Sequence, residues 1–111
     1  MSWRARKVVI GDIQFDSKAE SERYLYLLSR AQAREITQLE CHPRYLLLEG
    51  FTDADGNRER PIHYTADFRY QEDGKTVVED VKGGRQSRDY MLRRKLFKSR
   101  YREIVFREVK V

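Results

Sequence analysis

The segments Tyr64-Thr-Ala-Asp-Phe-Arg-Tyr70 and Thr76-Val-Val-Glu-Asp-Val-Lys82 decide the fold of this chain. Both are rich in aromatic and β-branched residues, and the glycine-containing turn between them predicts two neighbouring β-strands. Each strand has an acid where an apolar residue would normally pack, Asp67 in the first and Asp80 in the second. Because strand side chains alternate, we expect Lys82 on the same sheet face as Asp80.

Length and composition indicate a single domain that spans residues 1–111. The chain has 111 residues, of which 37% are charged and 40% hydrophobic, and this allows one modest core. The sequence has no apolar run of membrane-spanning length and no signal peptide at its N-terminus, so we expect a cytoplasmic protein. Cys41 is the single cysteine, which excludes an internal disulfide. Cys41 and His42 could form one pair of zinc ligands, but the sequence has no second pair at the spacing of a zinc site.

The positive charge is concentrated in one segment that directly follows the two acidic strands. Residues 82–102 have a net charge of +8, while the whole chain has +5, so the remainder is negative. A basic segment beside a cluster of acids favours contacts with DNA phosphates, although a solvated helix face would have the same composition. The residues predicted to bind DNA are Arg85, Arg88, Arg93, Arg94, Lys95 and Lys98.

Turn signals and hydrophobic periodicity predict the order helix, three strands, helix, strand, preceded by a β-hairpin. The predicted elements are a hairpin over 7–15, a helix from Asp16 or Ser17 to about Ala33, strands over 44–49, 61–70 and 76–82, a helix over 87–101 and a strand over 104–109. Residues 51–60 are predicted to form a hairpin loop. In the second helix, Leu92, Leu96 and Phe97 are predicted to face the core.

Glu20 has two predicted roles, and the sequence leaves both open. Ser17 and Glu20 have the spacing of a capping box, in which the glutamate satisfies a free backbone N–H at the start of the helix. Glu20 also begins the helical stripe that is expected to face the core, and a buried acid needs a positive partner or a metal. The other members of this stripe are Tyr24, Leu27, Leu28 and Ala31. The helix is apolar on more than one side, which leaves open either a subunit contact or cover by the hairpin.

The acids and the lysine together fit the hydrolysis of a phosphodiester bond. A divalent cation held by carboxylates activates a water molecule and offsets the negative charge of the transition state. Mg²⁺ prefers one or two carboxylates with waters and phosphate oxygens. Asp67 and Asp80 match this preference, with Glu20 completing the shell, and Lys82 is placed to orient or deprotonate the water. Glu79 is expected to point to the opposite sheet face.

At these residues the sequence resembles the PD-(D/E)XK nuclease superfamily, whose signature is an Asp on the second core strand and (D/E)-x-Lys on the third. Asp67 and Asp80-Val81-Lys82 match that signature, and Glu20 matches the acid often found on the first helix. The segments Phe15–Tyr24, Tyr64–Phe68 and Val78–Gly83 look like a narrower family of small phage and prophage proteins, long catalogued as a domain of unknown function and assigned as endonucleases. The chain departs from related nucleases at Ala66, where proline is often found, and at His42-Pro43, where Gln-Pro is often found.

The resemblance implies an α/β fold with a restriction-endonuclease-like αβββαβ core, in which helices flank a mixed central sheet. It implies catalysis by Asp67, Asp80, Lys82 and Glu20, and Mg²⁺, with Mn²⁺ as a substitute, held by Asp67, Asp80, Glu20 and Val81. By analogy with Holliday junction resolvase-like nucleases, it implies a homodimeric endonuclease that selects branched DNA during phage DNA processing in the cytoplasm of a bacterial host. A nonspecific or nicking nuclease and a catalytically silent DNA-binding module on the same fold remain as alternatives.

Overall fold

The computed structural model describes residues 7–111, in which ten short strands and two helices follow one another. In chain order the elements are β1 (Val8–Ile10), β2 (Ile13–Phe15), α1 (Lys18–Gln32), β3 (Thr37–Cys41), β4 (Arg44–Leu48), β5 (Phe51–Thr52), β6 (Arg58–Glu59), β7 (Ile62–Thr65), β8 (Phe68–Glu72), β9 (Lys75–Lys82), α2 (Arg88–Arg100) and β10 (Val105–Lys110). Residues 1–6, on which the prediction of a missing signal peptide rests, lie outside the described residues. Within residues 7–111, no helix is long and apolar enough to cross a membrane.

The central sheet has four strands in the order β10-β9-β8-β3. β9 pairs with β8 in antiparallel and with β10 in parallel orientation, and β3 pairs with β8 in antiparallel orientation. The sheet is therefore mixed, and the predicted α/β class is confirmed. β3 is a strand that the sequence analysis does not predict, because its residues show neither clear alternation nor an apolar run.

The ribbon formed by β3 and β8 continues as β4 and β7 beyond a sharp bend. β4 and β7 pair in antiparallel orientation. At the bend, the Ala66 N–H donates to the Pro43 carbonyl at 3.0 Å, and the His42 N–H donates to the Asp67 carbonyl at 2.9 Å. The predicted strand over 61–70 is therefore interrupted at Ala66 and Asp67, and the bend places Asp67 between two strand segments.

Each helix packs against its own side of the sheet, because β9 sends alternate side chains to opposite faces. Val77 and Val81 belong to the apolar core beneath α1, together with Leu27 of that helix. Val78 belongs to the apolar core beneath α2, together with Phe97. Asp80 and Lys82 have the same parity as Val78 and therefore lie on the α2 side. The fold thus brings the start of α2 and the end of β9 together.

Hydroxyl caps determine where both helices begin. Ser17 Oγ accepts the Glu20 N–H at 3.2 Å at the start of α1, and Ser87 Oγ accepts the Tyr90 N–H at 3.1 Å at the start of α2. Each cap satisfies a backbone donor that has no partner inside the helix. The predicted positions of both helices are confirmed, as is the predicted β-hairpin, which turns at Gly11 between β1 and β2.

The predicted core side of α2 is wrong for two of its three residues. Leu92 is 58% exposed and Leu96 is 38% exposed, whereas Phe97 is fully buried. The helix instead packs through an aromatic stripe in which Tyr90, Phe97 and Tyr101 recur at helical spacing. Tyrosines can take this role because their hydroxyl groups find partners at the edge of the core: the Tyr101 hydroxyl donates to the Leu46 carbonyl at 2.9 Å.

Candidate active site

Asp67 lies at the bend between β7 and β8, and both its backbone and its side chain bond to β9. Its N–H donates to the Glu79 carbonyl at 3.1 Å and to Asp80 Oδ1 at 2.9 Å. Its Oδ2 accepts the Val81 N–H at 2.7 Å. Burial raises the pKa of the Asp67 carboxyl, against the lowering effects of the Val81 N–H and the Lys82 charge. These bonds to β9 therefore hold the Asp67 carboxylate in one position.

Asp80 is a buried carboxylate with one oxygen that has no partner. The residue is 2% exposed, and its Oδ2 has no hydrogen bond from any described residue. Burial raises the pKa of Asp80 to about 6, although the Lys82 charge and the Asp67 N–H act in the opposite direction. An unsatisfied buried acceptor costs roughly 1–3 kcal/mol, so a bound cation or a donor on a ligand would stabilise this group.

Glu20 approaches Asp67 from the first turn of α1. Its Oε2 accepts the Asp16 N–H at 3.3 Å, which confirms the predicted capping role with Asp16 as the backbone donor. Burial, followed by the negative charge of Asp67, raises the pKa of Glu20 to about 7. The same carboxylate thus caps the helix and adds a third acid to the site.

Lys82 is the cation that these three acids share. Its charge lowers the pKa of Glu20, of Asp67 and of Asp80, against the effect of burial in each case. Its ammonium nitrogen lies 4.1 Å from the ring centroid of Tyr90 on α2. A cation over an aromatic face is attracted by the ring quadrupole, which gives that face a negative electrostatic potential. Lys82 is therefore held between the acids and the aromatic ring.

Tyr90 and Glu108 complete the surroundings of Lys82, and neither residue is predicted from the sequence. The Tyr90 hydroxyl and Arg94 Nη1 donate to the same oxygen of Glu108, at 2.8 and 2.6 Å. Burial would raise the pKa of Glu108, but the hydrogen bonds from Tyr90 and Arg94 and a further one from Gln86 bring it down to about 2. Glu108 is the parallel register partner of Asp80. Finding it would have required this register, which the sequence does not supply.

Glu79 lies on the opposite sheet face and has a different role. It is fully buried, and Arg23 of α1 donates to its two carboxylate oxygens at 2.8 and 2.9 Å. The Tyr70 hydroxyl also donates to this carboxylate. Because its charge is paired and its oxygens are occupied, Glu79 attaches α1 to the sheet and takes no part in the group around Lys82.

The six predicted DNA-binding cations fall into two groups. Arg93 is paired with Asp89 at 3.0 Å and donates to the His63 carbonyl, and Arg94 is paired with Glu108. The other four side chains are exposed and form no salt bridge with any residue from 7 to 111: Arg85, Arg88, Lys95 and Lys98. The exposed group is available for phosphate contacts, whereas the paired group stabilises α2 on the sheet.

The donor atoms of the site suit a hard divalent cation. Within the described part of the chain, no three His, Cys, Asp or Glu side chains are grouped so that they could hold a metal ion. Mg²⁺ does not require three, because it takes one or two carboxylates with waters and phosphate oxygens. Asp67 and Asp80 provide two carboxylates, and Asp80 Oδ2 needs a partner. Val81, the other predicted ligand, is 7% exposed with its side chain in the core, so only its carbonyl offers an oxygen.

Comparison with known proteins gives a family match that covers almost the whole sequence. No curated protein and no solved structure matches the chain. The matching family is described as "Protein of unknown function (DUF1064)", and the match runs over residues 1–110. This chain therefore belongs to the DUF1064 family.

Proposed function

We propose that this protein is a divalent-metal-dependent DNA endonuclease with a restriction-endonuclease-like core. The observation that carries the proposal is the buried carboxylate of Asp80, whose Oδ2 has no partner in the described chain. Its other oxygen is bonded to the backbone of Asp67, a second acid with a raised pKa. Carboxylates with raised pKa values that share one lysine are typical of catalytic sites, because a purely structural acid is normally paired.

Asp67 and Asp80 would hold the metal, with Glu20 beside Asp67. When bound, a Mg²⁺ or Mn²⁺ ion activates a water molecule and offsets the negative charge that develops on the phosphate. The carboxylates themselves are positioned by backbone N–H groups of neighbouring strands. Such preorganisation lowers the cost of reaching the reactive arrangement.

The contribution of the protein to the reacting phosphate is the Lys82 ammonium group. Tyr90 holds it from one side, and Glu108 in turn holds the Tyr90 hydroxyl. An ammonium group at a fixed position contacts a phosphate oxygen or orients the attacking water without losing further conformational freedom. The four exposed cations Arg85, Arg88, Lys95 and Lys98, which lie on α2 or in the loop before it, would contact the DNA backbone.

The proposal is tested with linear, nicked and four-way-junction DNA, each incubated with Mg²⁺, Mn²⁺ or EDTA. Asp80→Asn should lower cleavage by more than roughly 100-fold, since the loss of even indirect metal partners costs 10–100-fold. The matched control is Asp73→Asn, which changes an acid in the exposed turn between β8 and β9, where φ is +52° and asparagine is well tolerated. Cleavage that persists in EDTA or in Asp80→Asn would contradict the proposal.

The same substrates test selectivity for branched DNA, which is part of the proposal. Resolution of a four-way junction needs two coordinated cuts and therefore a two-fold dimer. We expect the protein to cleave the junction in preference to the other substrates. Analytical ultracentrifugation should show that it binds the DNA as a dimer. Equal cleavage of all three substrates by a monomer would reduce the function to that of a nonspecific nuclease. Binding without cleavage would leave a DNA-binding module.

A further inference from the structure

A basic cavity adjoins the candidate active site at the ends of β9 and β10. Its volume is about 540 Å³, and the polar residues that line it are Lys82, Arg85, Gln86, Arg94, Glu108 and Lys110. Small-molecule sites have volumes of roughly 300–1,000 Å³, so this cavity is large for a single phosphate and suits a nucleotide. Lys82 lines the cavity and also neighbours the acids, so it connects the two sites.

The positive charge of the cavity is only partly compensated. Lys82 and Lys110 are register partners on parallel neighbouring strands, an arrangement that places two like charges side by side. Among residues 7–111, neither these lysines nor Arg85 forms a salt bridge, whereas Arg94 is paired with Glu108. The acids of the candidate site offset part of the Lys82 charge. Arg85 and Lys110 have no salt-bridge partner among these residues, so an anion in the cavity would relieve the repulsion that remains.

The wall of the cavity is ordered by hydrogen bonds around Glu108. Gln86 Nε2, the Tyr90 hydroxyl and Arg94 Nη1 all donate to this carboxylate. Arg94 Nη1 also donates to Gln86 Oε1 at 3.3 Å. Because Glu108 is already paired with Arg94, its charge offsets that arginine rather than Lys82 and Lys110. Met91 adds an apolar surface to the same wall.

We infer that this cavity binds a phosphate-bearing nucleotide of the DNA strand, next to the phosphodiester bond that is cut. The phosphate lies against Arg85 and Lys110, and the sugar and base fill the remaining volume along Met91. Lys82 then lies between this phosphate and the reacting one. That the nucleotide belongs to a DNA substrate rests on the proposed function, whereas the anion site rests on the cavity alone.

The test measures binding without cleavage. Thymidine 5′-monophosphate, thymidine and inorganic phosphate are each titrated into the protein in EDTA, with affinity measured by calorimetry. The cavity variant is Arg85→Ala/Lys110→Ala, in which both replaced side chains are exposed, so the fold is expected to persist. The control is Arg60→Ala/Lys75→Ala, which removes the same charge from exposed residues that do not line the cavity.

The nucleotide should bind the native protein and the control equally and the cavity variant on the order of tenfold more weakly, because charged contacts are lost. Thymidine should not bind measurably, and inorganic phosphate should bind more weakly than the nucleotide. Equal nucleotide affinity in both double variants, or equal affinity for thymidine and its monophosphate, would overturn the inference. So would phosphate binding as tight as nucleotide binding, since it would leave the cavity without a nucleotide preference.

Failure of the inference and failure of the proposed function give different results. If Asp80→Asn abolishes cleavage but the two double variants bind the nucleotide equally, the endonuclease stands and the cavity assignment fails. If the cavity variant alone loses nucleotide affinity but no DNA is cleaved by the native protein, the anion site stands and the endonuclease proposal fails.

Discussion

Replacing Asp80 by asparagine is expected to flatten the dependence of stability on pH in the metal-free protein. Burial raises the pKa of Asp80 from 3.8 to about 6, and the Lys82 charge offsets only part of this effect. The folded state therefore keeps this proton to a higher pH than the unfolded state does, so the free energy of unfolding falls as pH rises from about 4 to about 7. At ~1.4 kcal/mol for each pKa unit, the loss amounts to about 3 kcal/mol.

The assay is urea denaturation of the native protein and of Asp80→Asn at several pH values in EDTA. Asparagine stays neutral throughout, and its Oδ1 can still accept the Asp67 N–H. Its amide nitrogen has no more partners than Asp80 Oδ2 has, so the variant is not expected to be more stable at every pH. The decisive quantity is the difference in slope between the two proteins. Glu20 also titrates nearby, but it is present in both proteins and largely cancels in this difference.

Mg²⁺ provides the second half of this test. At pH values above 7 the ionised Asp80 destabilises the fold, and a bound cation should restore stability in the native protein by mass action. Asp80→Asn should gain much less. Parallel pH profiles for the two proteins would refute the assignment of Asp80 as a buried acid without a partner. Equal stabilisation by Mg²⁺ in both proteins would refute its role as a metal ligand.

Four other perturbations give distinct results. Arg23→Met leaves the buried Glu79 without its partner and should lower the free energy of unfolding by about 3–5 kcal/mol. Recovery of stability in Arg23→Met/Glu79→Met would show that the loss comes from the unpaired charge. A loss that persists in the double variant would contradict this reasoning. Tyr64→Phe removes a buried hydroxyl that has no hydrogen-bond partner among the described residues. In urea denaturation the free energy of unfolding should therefore rise by about 1 kcal/mol. A marked fall in this free energy would show that the hydroxyl is hydrogen-bonded. Tyr90→Leu should lower kcat with little change in KM, since it removes the aromatic ring that holds the Lys82 ammonium group. Tyr90→Phe keeps the ring and should retain most activity. Equal losses in both variants would show that the ring does not position Lys82. For the four exposed cations near α2, log affinity for DNA should fall with log salt at a slope of about −4, and a flat response would exclude phosphate contacts.

The order of the main elements could be predicted because local signals determine it. Ser17 and Ser87 act as caps at the places where the sequence pattern predicts helix starts. β3 was missed because its pairing with β8 comes from tertiary contacts, with positive φ at Gln38 and a register shift along the strand. Of the predicted core residues of α2, Leu92 and Leu96 are exposed and Phe97 is buried. The remaining cover comes from Tyr90 and Tyr101, whose hydroxyl groups are hydrogen-bonded.

The candidate site was predictable where a polar residue interrupts an apolar strand, as Asp67 and Asp80 do. The residues around Lys82 were not predictable in the same way. Tyr90 reaches it from α2, so its position depends on how that helix packs on the sheet. Glu108 comes from the last strand, so its position depends on the parallel register of β9 and β10. Long-range register is set by the packing of the whole sheet, and no short motif in the sequence reports it.

The hydrogen bonds at the Asp67 bend have a consequence for the order in which the chain folds during synthesis. The Asp67 carbonyl is bonded by His42, and its N–H and carboxylate are bonded by residues of β9. A nascent chain that has emerged from the ribosome only as far as β8 contains Asp67 and Glu20 but none of the β9 groups that position Asp67. Asp67 therefore cannot take up its position beside Asp80 until β9 has been synthesised.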